Sequence, residues 1–159
     1  MTLKMSNSKF MQKAIDLSIA NIKSGGGPFA AVIVKGNEII AAEANHVTET
    51  NDPTAHAEVN AIRIACKKLV TFDPSGCEIY TSCEPCPMCL GAIYWAHLDK
   101  VYYANTKTDA KNAGFDDSFI YEELETKIEN RKIPFQQIMN EEAQVAFKLW
   151  DEMEEKNEY

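Results

Sequence analysis

The chain has 159 residues, of which 45% are hydrophobic, and it carries a formal net charge of −8. This length suits one globular domain, 1–159, and the negative charge argues against a nucleic-acid partner, because phosphate groups are held by basic surfaces. No apolar run is long enough to span a bilayer and no export signal is visible, so the five cysteines are expected to be reduced thiols in a cytoplasmic protein with no membrane partner.

The first half of the chain predicts a helix, a β-hairpin and a second helix. Apolar residues recur at helical spacing over 8–23, and a glycine run ends that helix. Two apolar segments, 29–34 and 39–44, flank a turn and predict the arms of the hairpin. Asp52 suits the cap of the next helix, and Pro53 suits its first turn. The residues expected to face the core are Met11, Ile15, Ile19 and Ile22 in the first helix and Val59, Ile62, Cys66 and Leu69 in the second.

The second half continues the alternation of strands and helices. Strands are predicted over 78–82 and 101–104, with a helix over 85–96 between them. The segment 105–118 is polar and is expected to be rich in loops. This order of elements predicts an α/β fold with three layers, α/β/α, around a central mixed sheet.

The C-terminal part predicts one more strand and one more helix. The strand is expected over 135–139, and the helix, which is amphipathic, over 141–156. The side chains expected to face inward from this helix are Phe147, Trp150 and Met153.

Two separated segments carry residues typical of a catalytic zinc site. His56-Ala57-Glu58 lies in the first half, and Pro85-Cys86-Pro87-Met88-Cys89 lies in the second. One imidazole and two thiolates suit zinc, and three protein ligands leave the fourth tetrahedral position open to water. The Glu58 carboxylate, next to a ligand, is able to move protons to and from such a water. The sequence therefore predicts one Zn²⁺ per chain, held by His56, Cys86 and Cys89, and a catalytic role for the ion.

Both halves of the motif are expected at the N-termini of helices, where partial positive charge favours thiolates. Cys86 and Cys89 are three residues apart, so their sulfur atoms lie on one face of a helical turn. His56 and Glu58 are two residues apart and would diverge in a regular helix. We therefore expect the site to lie over the open end of the helix, where the two side chains can converge.

Other interpretations of the cysteines and glycines are weaker. Cys83 extends the pair to Cys-x-x-Cys-x-x-Cys, as in part of an iron–sulfur ligand run, but no cysteine follows Cys89 to complete it. Cys66, Cys77 and Cys83 are instead expected to be small buried residues. The segment 25–27 lacks the lysine and the serine or threonine of a phosphate-binding loop, so it is interpreted as a helix stop.

Segments 51–58 and 80–89 resemble the cytidine deaminase superfamily, whose zinc signature is His-x-Glu with Pro-Cys-x-x-Cys. Within that superfamily the chain is most similar to the small bacterial guanine deaminases. The segments that carry this closer similarity are Gly27-Pro28-Phe29, 90–95, 114–121 and the final residue, Tyr159.

The resemblance implies a cytidine deaminase-like fold and a zinc-dependent hydrolase of purine metabolism, a nucleobase deaminase that converts guanine to xanthine and ammonia. It implies that Glu58 moves the protons and that Asp117 assists. The groups implied to contact the purine are Phe29, Asn45, Ala57, Asp117 and Tyr159. From residue type alone, Asn45 and Asp117 are favoured as turn residues instead.

The resemblance also implies a homodimer in which the C-terminal segment, about 140–159, is exchanged between subunits. Such domain swapping is a low-cost route to a symmetric dimer. In this arrangement Tyr159 would close the pocket of the partner subunit.

Three classes of function remain open at this point: a guanine deaminase, a deaminase that acts on tRNA, and a zinc-binding module without enzymatic activity. A tRNA-specific adenosine deaminase shares the zinc signature, although the negative charge and Tyr159 argue against it. Guanosine, cytosine and related amino-heterocycles are alternative substrates for a small-molecule deaminase. A zinc-stabilised module without enzymatic activity is the third class, and the presence of Glu58 and the lack of a fourth protein ligand argue against it.

Overall fold

The structure, a computed structural model, describes the backbone of residues 2–159 and the side chains from residue 7 onward. The chain forms two compact units, one ending at Asp117 and the other covering Ser118–Tyr159. The second unit therefore begins earlier in the chain than the segment of about 140–159 that the resemblance implies is exchanged between subunits.

The first unit is built on a four-stranded mixed sheet. Its strands are β1 (Ala30–Lys35), β2 (Glu38–Ala44), β3 (Cys77–Cys83) and β4 (Lys100–Asn105). The strand order is β2-β1-β3-β4, in which β1 is antiparallel to β2 and β3, and β3 is parallel to β4. All four strands were predicted from the sequence, and each predicted boundary is confirmed to within one residue.

The helices of this unit are α1 (Thr2–Lys23), α2 (Val47–Thr50), α3 (Ala57–Leu69), α4 (Pro87–Trp95) and α5 (Lys107–Asn112). Of these, α1 packs on one face of the sheet, and α3 and α4 pack on the other. Successive residues of a strand point to opposite faces. Val32 and Val34 of β1 pack with Phe10 and Ala14 of α1, in one buried cluster.

The opposite face of β1 contributes to a second cluster. Ala31 and Ile33 pack with Ala57, Ala61 and Ala65 of α3, and Ile93 of α4 belongs to the same cluster. The sheet is therefore enclosed between two helical layers, and the three-layer α/β/α prediction is confirmed. This arrangement brings the N-termini of α3 and α4 to one side of the sheet, where the two helices contact each other.

The start of α3 differs from the prediction. The helix begins at Ala57, and Asp52 is not its cap. The Asp52 carboxylate instead accepts hydrogen bonds from the backbone N–H and the hydroxyl of Thr54, at 2.8 and 2.7 Å, which makes a local turn. An aspartate ahead of a helix can satisfy either geometry, so the sequence alone does not distinguish them.

The buried faces of α1 and α3 are also displaced from the predicted stripes. On α3 the alanines are fully buried, whereas Val59, Ile62, Cys66 and Leu69 are half-buried. Among the side chains of α1 that the structure describes, Phe10, Ala14 and Ser18 are buried, and Ile19 and Ile22 are 46% and 53% exposed. Small side chains allow each helix to approach the sheet closely, and the larger apolar residues lie at the margins of the contact.

The second unit contains α6 (Ser118–Glu125), a short 3-10 helix (Ile128–Asn130) and α7 (Asn140–Glu152). The predicted strand over 135–139 is wrong, because these residues are not hydrogen-bonded to a neighbouring strand, which a strand requires. Arg131 connects two parts of this unit. Its Nε donates hydrogen bonds to the carbonyls of Glu123, in α6, and Thr126, just after α6, at 3.1 and 3.3 Å.

No described residue of the second unit is fully buried. The expectation that Phe147, Trp150 and Met153 face inward is therefore wrong for the single chain, in which these side chains are 66%, 37% and 49% exposed. In the described part of the chain, no helix has both the length and the apolar character needed to cross a membrane.

Candidate active site

The two motif halves occupy equivalent positions on two helices. His56 is the N-cap of α3 and Cys86 is the N-cap of α4, and both have an extended backbone, with φ and ψ of −68° and 152° and of −66° and 169°. Pro87 follows Cys86 as the first residue of α4, where its fixed φ suits a helix and its missing N–H is not needed. The prediction that the motif lies at two helix N-termini is confirmed.

The metal-binding atoms of His56, Cys86 and Cys89 lie within 4.8 Å of one another. The Nδ1 atom of His56 is 3.5 Å from the Sγ atoms of both Cys86 and Cys89. Zinc bonds of about 2.0–2.1 Å to nitrogen and about 2.3 Å to sulfur, at a tetrahedral angle, would separate N and S by about 3.6 Å. The donor types and their spacing therefore fit a zinc ion.

The electrostatics of the cluster favour ionisation of Cys86. A hydrogen bond from Cys89 lowers the pKa of Cys86 to about 4, and the contact with His56 acts in the same direction. The interaction with Cys86 raises the pKa of Cys89, and burial raises it further. The pKa of His56 is raised, mainly by its contact with Cys86. Both thiols also lie in the first turn of α4 or at its cap, where the helix dipole stabilises negative charge.

Glu58 lies beside the cluster but is not part of the ligand set. It is the second residue of α3, only 8% exposed, and its Oε2 atom is 3.4 Å from the Sγ of Cys89. Burial raises the pKa of the Glu58 carboxyl. Since His56 has an extended backbone and Glu58 a helical one, the two side chains converge despite being two residues apart. A buried carboxyl with a raised pKa is suited to general acid–base chemistry.

Phe29 lies at the edge of a pocket in the first unit. Its ring contacts the ring of Phe115 edge-to-face, with the centroids 4.9 Å apart. Both rings line a cavity of about 220 Å³, together with Cys83 and residues of α5. Phe115 was not among the residues predicted to contact the base. Its position as an aromatic residue in a polar segment is the feature of the sequence that could have indicated a surface for a flat ligand.

Asn45 and Ala57 lie at the ends of two elements close to Phe29 and His56. Asn45 directly follows β2, and its backbone N–H donates to the Phe29 carbonyl at 3.0 Å. Its side-chain oxygen accepts from the Val47 N–H at 3.2 Å, which leaves the amide NH₂ as its donor group. Ala57 is the first residue of α3, so its N–H has no acceptor within the helix.

Asp117 and Tyr159 fall in different units. Asp117 is half-buried at the end of the first unit, and its pKa is raised, first by burial and then by the charge of Cys86. This electrostatic interaction means that Asp117 lies near the ligand cluster. Tyr159 belongs to the second unit, and its side chain is 78% exposed.

The remaining cysteines lie outside the ligand cluster. The Sγ of Cys83 donates to the Thr106 carbonyl at 3.6 Å, and Cys83 and Cys77 are buried, as expected. Cys66 is half-buried. Among the described residues the cluster contains no fourth thiol, as an iron–sulfur interpretation would require.

A family model described as "Cytidine and deoxycytidylate deaminase zinc-binding region" matches residues 4–105. The chain is 53% identical to a guanine deaminase from Bacillus subtilis over 156 residues, which are 98% of this chain and 100% of that protein. An X-ray structure of guanine deaminase from the same organism matches with a TM-score of 0.93, over 96% of this chain and 98% of that chain.

More distant relatives match about two thirds of the chain. A tRNA-specific adenosine deaminase from Aquifex aeolicus is 39% identical over 110 residues, which are 69% of this chain and 72% of that protein. The structure of a guanine deaminase from Nitrosomonas europaea is 37% identical, with a TM-score of 0.65 over 68% of this chain and 63% of that chain. The family match covers both helix N-termini that carry the ligand cluster, and the chain belongs to the cytidine and deoxycytidylate deaminase zinc-binding family.

Proposed function

We propose that this chain is a zinc-dependent guanine deaminase, which hydrolyses guanine to xanthine and ammonia. The observation that carries the proposal is the 53% identity to the guanine deaminase from Bacillus subtilis over the full length of both chains. The family model ends at residue 105, and the tRNA deaminase match covers 69% of the chain. The match to the guanine deaminase therefore includes the Gly114–Tyr121 segment, which is one of the carriers of the closer resemblance, and nearly all of the second unit.

His56, Cys86 and Cys89 would hold the zinc ion, one per chain. When bound, zinc lowers the pKa of a coordinated water towards neutrality. Glu58 accepts the proton that the water loses and transfers it to a ring nitrogen of guanine as oxygen adds to C2. Glu58 then takes the proton of the new hydroxyl group on C2 and delivers it to the amino group, which leaves as ammonia while the C2–oxygen bond becomes the carbonyl of xanthine. The raised pKa of the Glu58 carboxyl supports this role, because such a group can hold a proton between the two steps.

The purine would be held by groups around the cavity and the helix start. Phe29 offers an aromatic face to the flat base, and Asn45 offers its amide NH₂ to a ring acceptor. The backbone N–H of Ala57, at the start of α3, has no acceptor within the helix and would donate a hydrogen bond to the purine. The pKa of Asp117 is also raised, and its carboxyl group would accept a proton from the base or share one with it.

The working unit would be a homodimer with an exchanged C-terminal segment. Support comes from the second unit, in which no described residue is fully buried. Four large apolar side chains of α7 are exposed, namely Val145, Phe147, Leu149 and Trp150. Apolar side chains on this scale normally pack against another surface. A second copy of the chain would cover them, and Tyr159 would then reach the partner's site. The five free thiols suit a reducing compartment, which we take to be the cytoplasm.

An ammonia-release assay tests the proposed activity. Purified zinc-loaded protein is compared on guanine, guanosine, adenine, cytosine and a tRNA substrate, with the Glu58→Gln variant as the control for background release. We expect turnover of guanine and at most slight turnover of the others. Faster ammonia release from guanosine or cytosine than from guanine would show that guanine is not the preferred substrate. Site-specific deamination of adenosine in the tRNA would show that the protein is a tRNA deaminase instead.

A further inference from the structure

Asn21 joins two segments that lie far apart in sequence. It is a half-buried residue in the last turn of α1. Its single Nδ2 atom donates to the carbonyl of Gly27 at 2.8 Å and to the carbonyl of Asn45 at 2.9 Å. A planar NH₂ group has two hydrogens and can satisfy two acceptors at once. Asn21 therefore connects the loop that precedes β1 to the segment that follows β2.

These two segments carry the aromatic ring and the amide that we propose contact the purine. The Asn45 N–H donates to the Phe29 carbonyl at 3.0 Å, which ties the segments to each other directly. A Cβ at Gly27 would lie 3.5 Å from the Phe29 ring and 3.6 Å from Asn45 Oδ1, so all three residues are in close contact. Gly27, Phe29 and Asn45 thus form a frame, and the two hydrogen bonds of Asn21 connect this frame to α1.

Gly26 makes room for the Asn21 side chain. A Cβ at Gly26 would lie 2.4 Å from Asn21 Nδ2, a distance that requires one of the groups to move. The Gly26 N–H also donates to the Asn21 carbonyl at 2.9 Å. The Asn21 amide can therefore occupy its observed position only because residue 26 has no side chain.

We propose that Asn21 is a positioning residue for purine binding, which fixes the orientations of the Phe29 ring and the Asn45 amide by holding the carbonyls of Gly27 and Asn45. The inference rests on the proposed guanine deaminase function. Asn21 acts through the binding residues and not on the zinc ligands or Glu58. Its loss should therefore weaken binding of the base much more than it slows the chemical step.

The first test is the kinetics of Asn21→Ala and Asn21→Asp on guanine. Two hydrogen bonds are lost in Asn21→Ala, so we expect KM to rise about 10-fold, with kcat changed less than about twofold and zinc content unchanged. Asn21→Asp places a carboxylate against two carbonyl oxygens and should raise KM at least as much. The matched control is Ser24→Ala, which removes an exposed hydrogen bond to the Ala20 carbonyl at the same helix end. An unchanged KM in Asn21→Ala would overturn the proposal. A fall in kcat as large as the rise in KM, accompanied by loss of zinc, would also overturn it.

The second test uses the contact between Gly26 and Asn21. Gly26→Ala should raise KM by displacing the Asn21 amide, but it should add little in the Asn21→Ala background, where that amide is absent. The double variant is then expected to have the KM of Asn21→Ala alone. Additive effects would mean that position 26 acts by another route and would contradict the assigned link.

The third test needs no substrate. The backbone N–H groups of Asn45 and Val47 donate hydrogen bonds within this frame, so their hydrogen exchange should accelerate in Asn21→Ala and not in Ser24→Ala. If the wild type failed to deaminate guanine while exchange accelerated, the proposed function and the role of Asn21 in purine binding would both fall, and only the structural link between Asn21 and the two segments would stand. Unchanged exchange would refute the positioning role, whatever the substrate.

Discussion

The Oε2 atom of Glu58 lies 3.4 Å from the Sγ of Cys89, although the two residues are 31 positions apart and Glu58 is not a member of the ligand set. The carboxyl is held beside the metal-binding atoms by its place in the first turn of α3. Proton transfer and metal binding are thus assigned to different side chains, and substitutions can separate the two roles.

Replacing Glu58 by glutamine tests this separation. The amide keeps the size of the side chain but cannot carry the proton, so we expect zinc content and melting temperature to stay near those of the wild type. Guanine turnover should fall by about 10²–10⁴-fold, the usual contribution of a general acid–base group. Steady-state kinetics and metal analysis on the same preparation make the measurement. Near-normal turnover would rule out the assigned role.

Replacing Cys86 by alanine should remove the zinc ion. Two protein ligands hold zinc far less well than three, so we expect less than one ion per chain and no turnover of guanine. Cys66→Ala is the matched control, because Cys66 is a half-buried thiol of α3 outside the ligand cluster. Elemental analysis of both variants gives the result. Full zinc occupancy in Cys86→Ala, or iron with sulfide in the wild type, would contradict the assignment.

Phe115 should contribute to binding of the base through Phe29. Their edge-to-face contact is of a kind worth about 0.5–1.5 kcal/mol, so Phe115→Ala should raise KM for guanine about 2- to 12-fold with zinc content unchanged. Phe72→Ala, which removes a ring that is 60% exposed, serves as the control. Equal kinetic constants for the two variants would show that Phe115 has no part in substrate binding.

The protein should bind tRNA weakly at physiological salt. With a net charge of −8 it offers no overall attraction to a polyanion, and phosphate contacts supply much of the affinity of nucleic-acid-binding proteins. Filter binding with labelled tRNA should give no saturation in the submicromolar range, and added tRNA should leave guanine turnover unchanged. Submicromolar binding combined with inosine formation would identify a tRNA deaminase.

Deletion of Tyr159 should reduce guanine turnover while zinc content and the dimer persist. In the proposed exchanged dimer Tyr159 would supply a hydroxyl to the partner's site, whereas the apolar side chains of α7 would remain in place. Truncation from Phe147 onward should impair assembly as well, and light scattering distinguishes the two cases. Glu158→Ala is the control for a change near the terminus. Full activity without Tyr159, or a fully active monomer, would refute the proposed role.

The sequence predicted the sheet and the clustering of His56, Cys86 and Cys89 because both depend on local patterns. Hydrophobic runs define the four strands, and the residue types and spacing of His56, Cys86 and Cys89 are specific to a metal site. The start of α3 was not predictable in the same way, since Asp52 can cap a helix or close a turn. It closes a turn, and His56 takes the cap position.

Features that depend on tertiary contacts escaped the sequence analysis. The two acceptors of Asn21 lie 6 and 24 residues further along the chain, and no periodic pattern marks such a bond. The apolar spacing of α7 predicts an amphipathic helix, which forms, but periodicity does not say what covers the apolar side chains. The residues of α7 are all exposed in the single chain, so the assignment of an inward face failed.

The placement of His56 and Cys86 at N-caps has a cost for the helices that they begin. A Ser, Thr, Asn or Asp at that position would normally bind a free backbone N–H, which is worth about 1 kcal/mol. Neither His56 nor Cys86 makes such a bond, because their side chains turn towards each other and towards Cys89. The starts of α3 and α4 are therefore held in place by the cluster that joins them. Removal of the proposed zinc ion by a chelator should therefore loosen both helix starts together, and with them the position of Glu58.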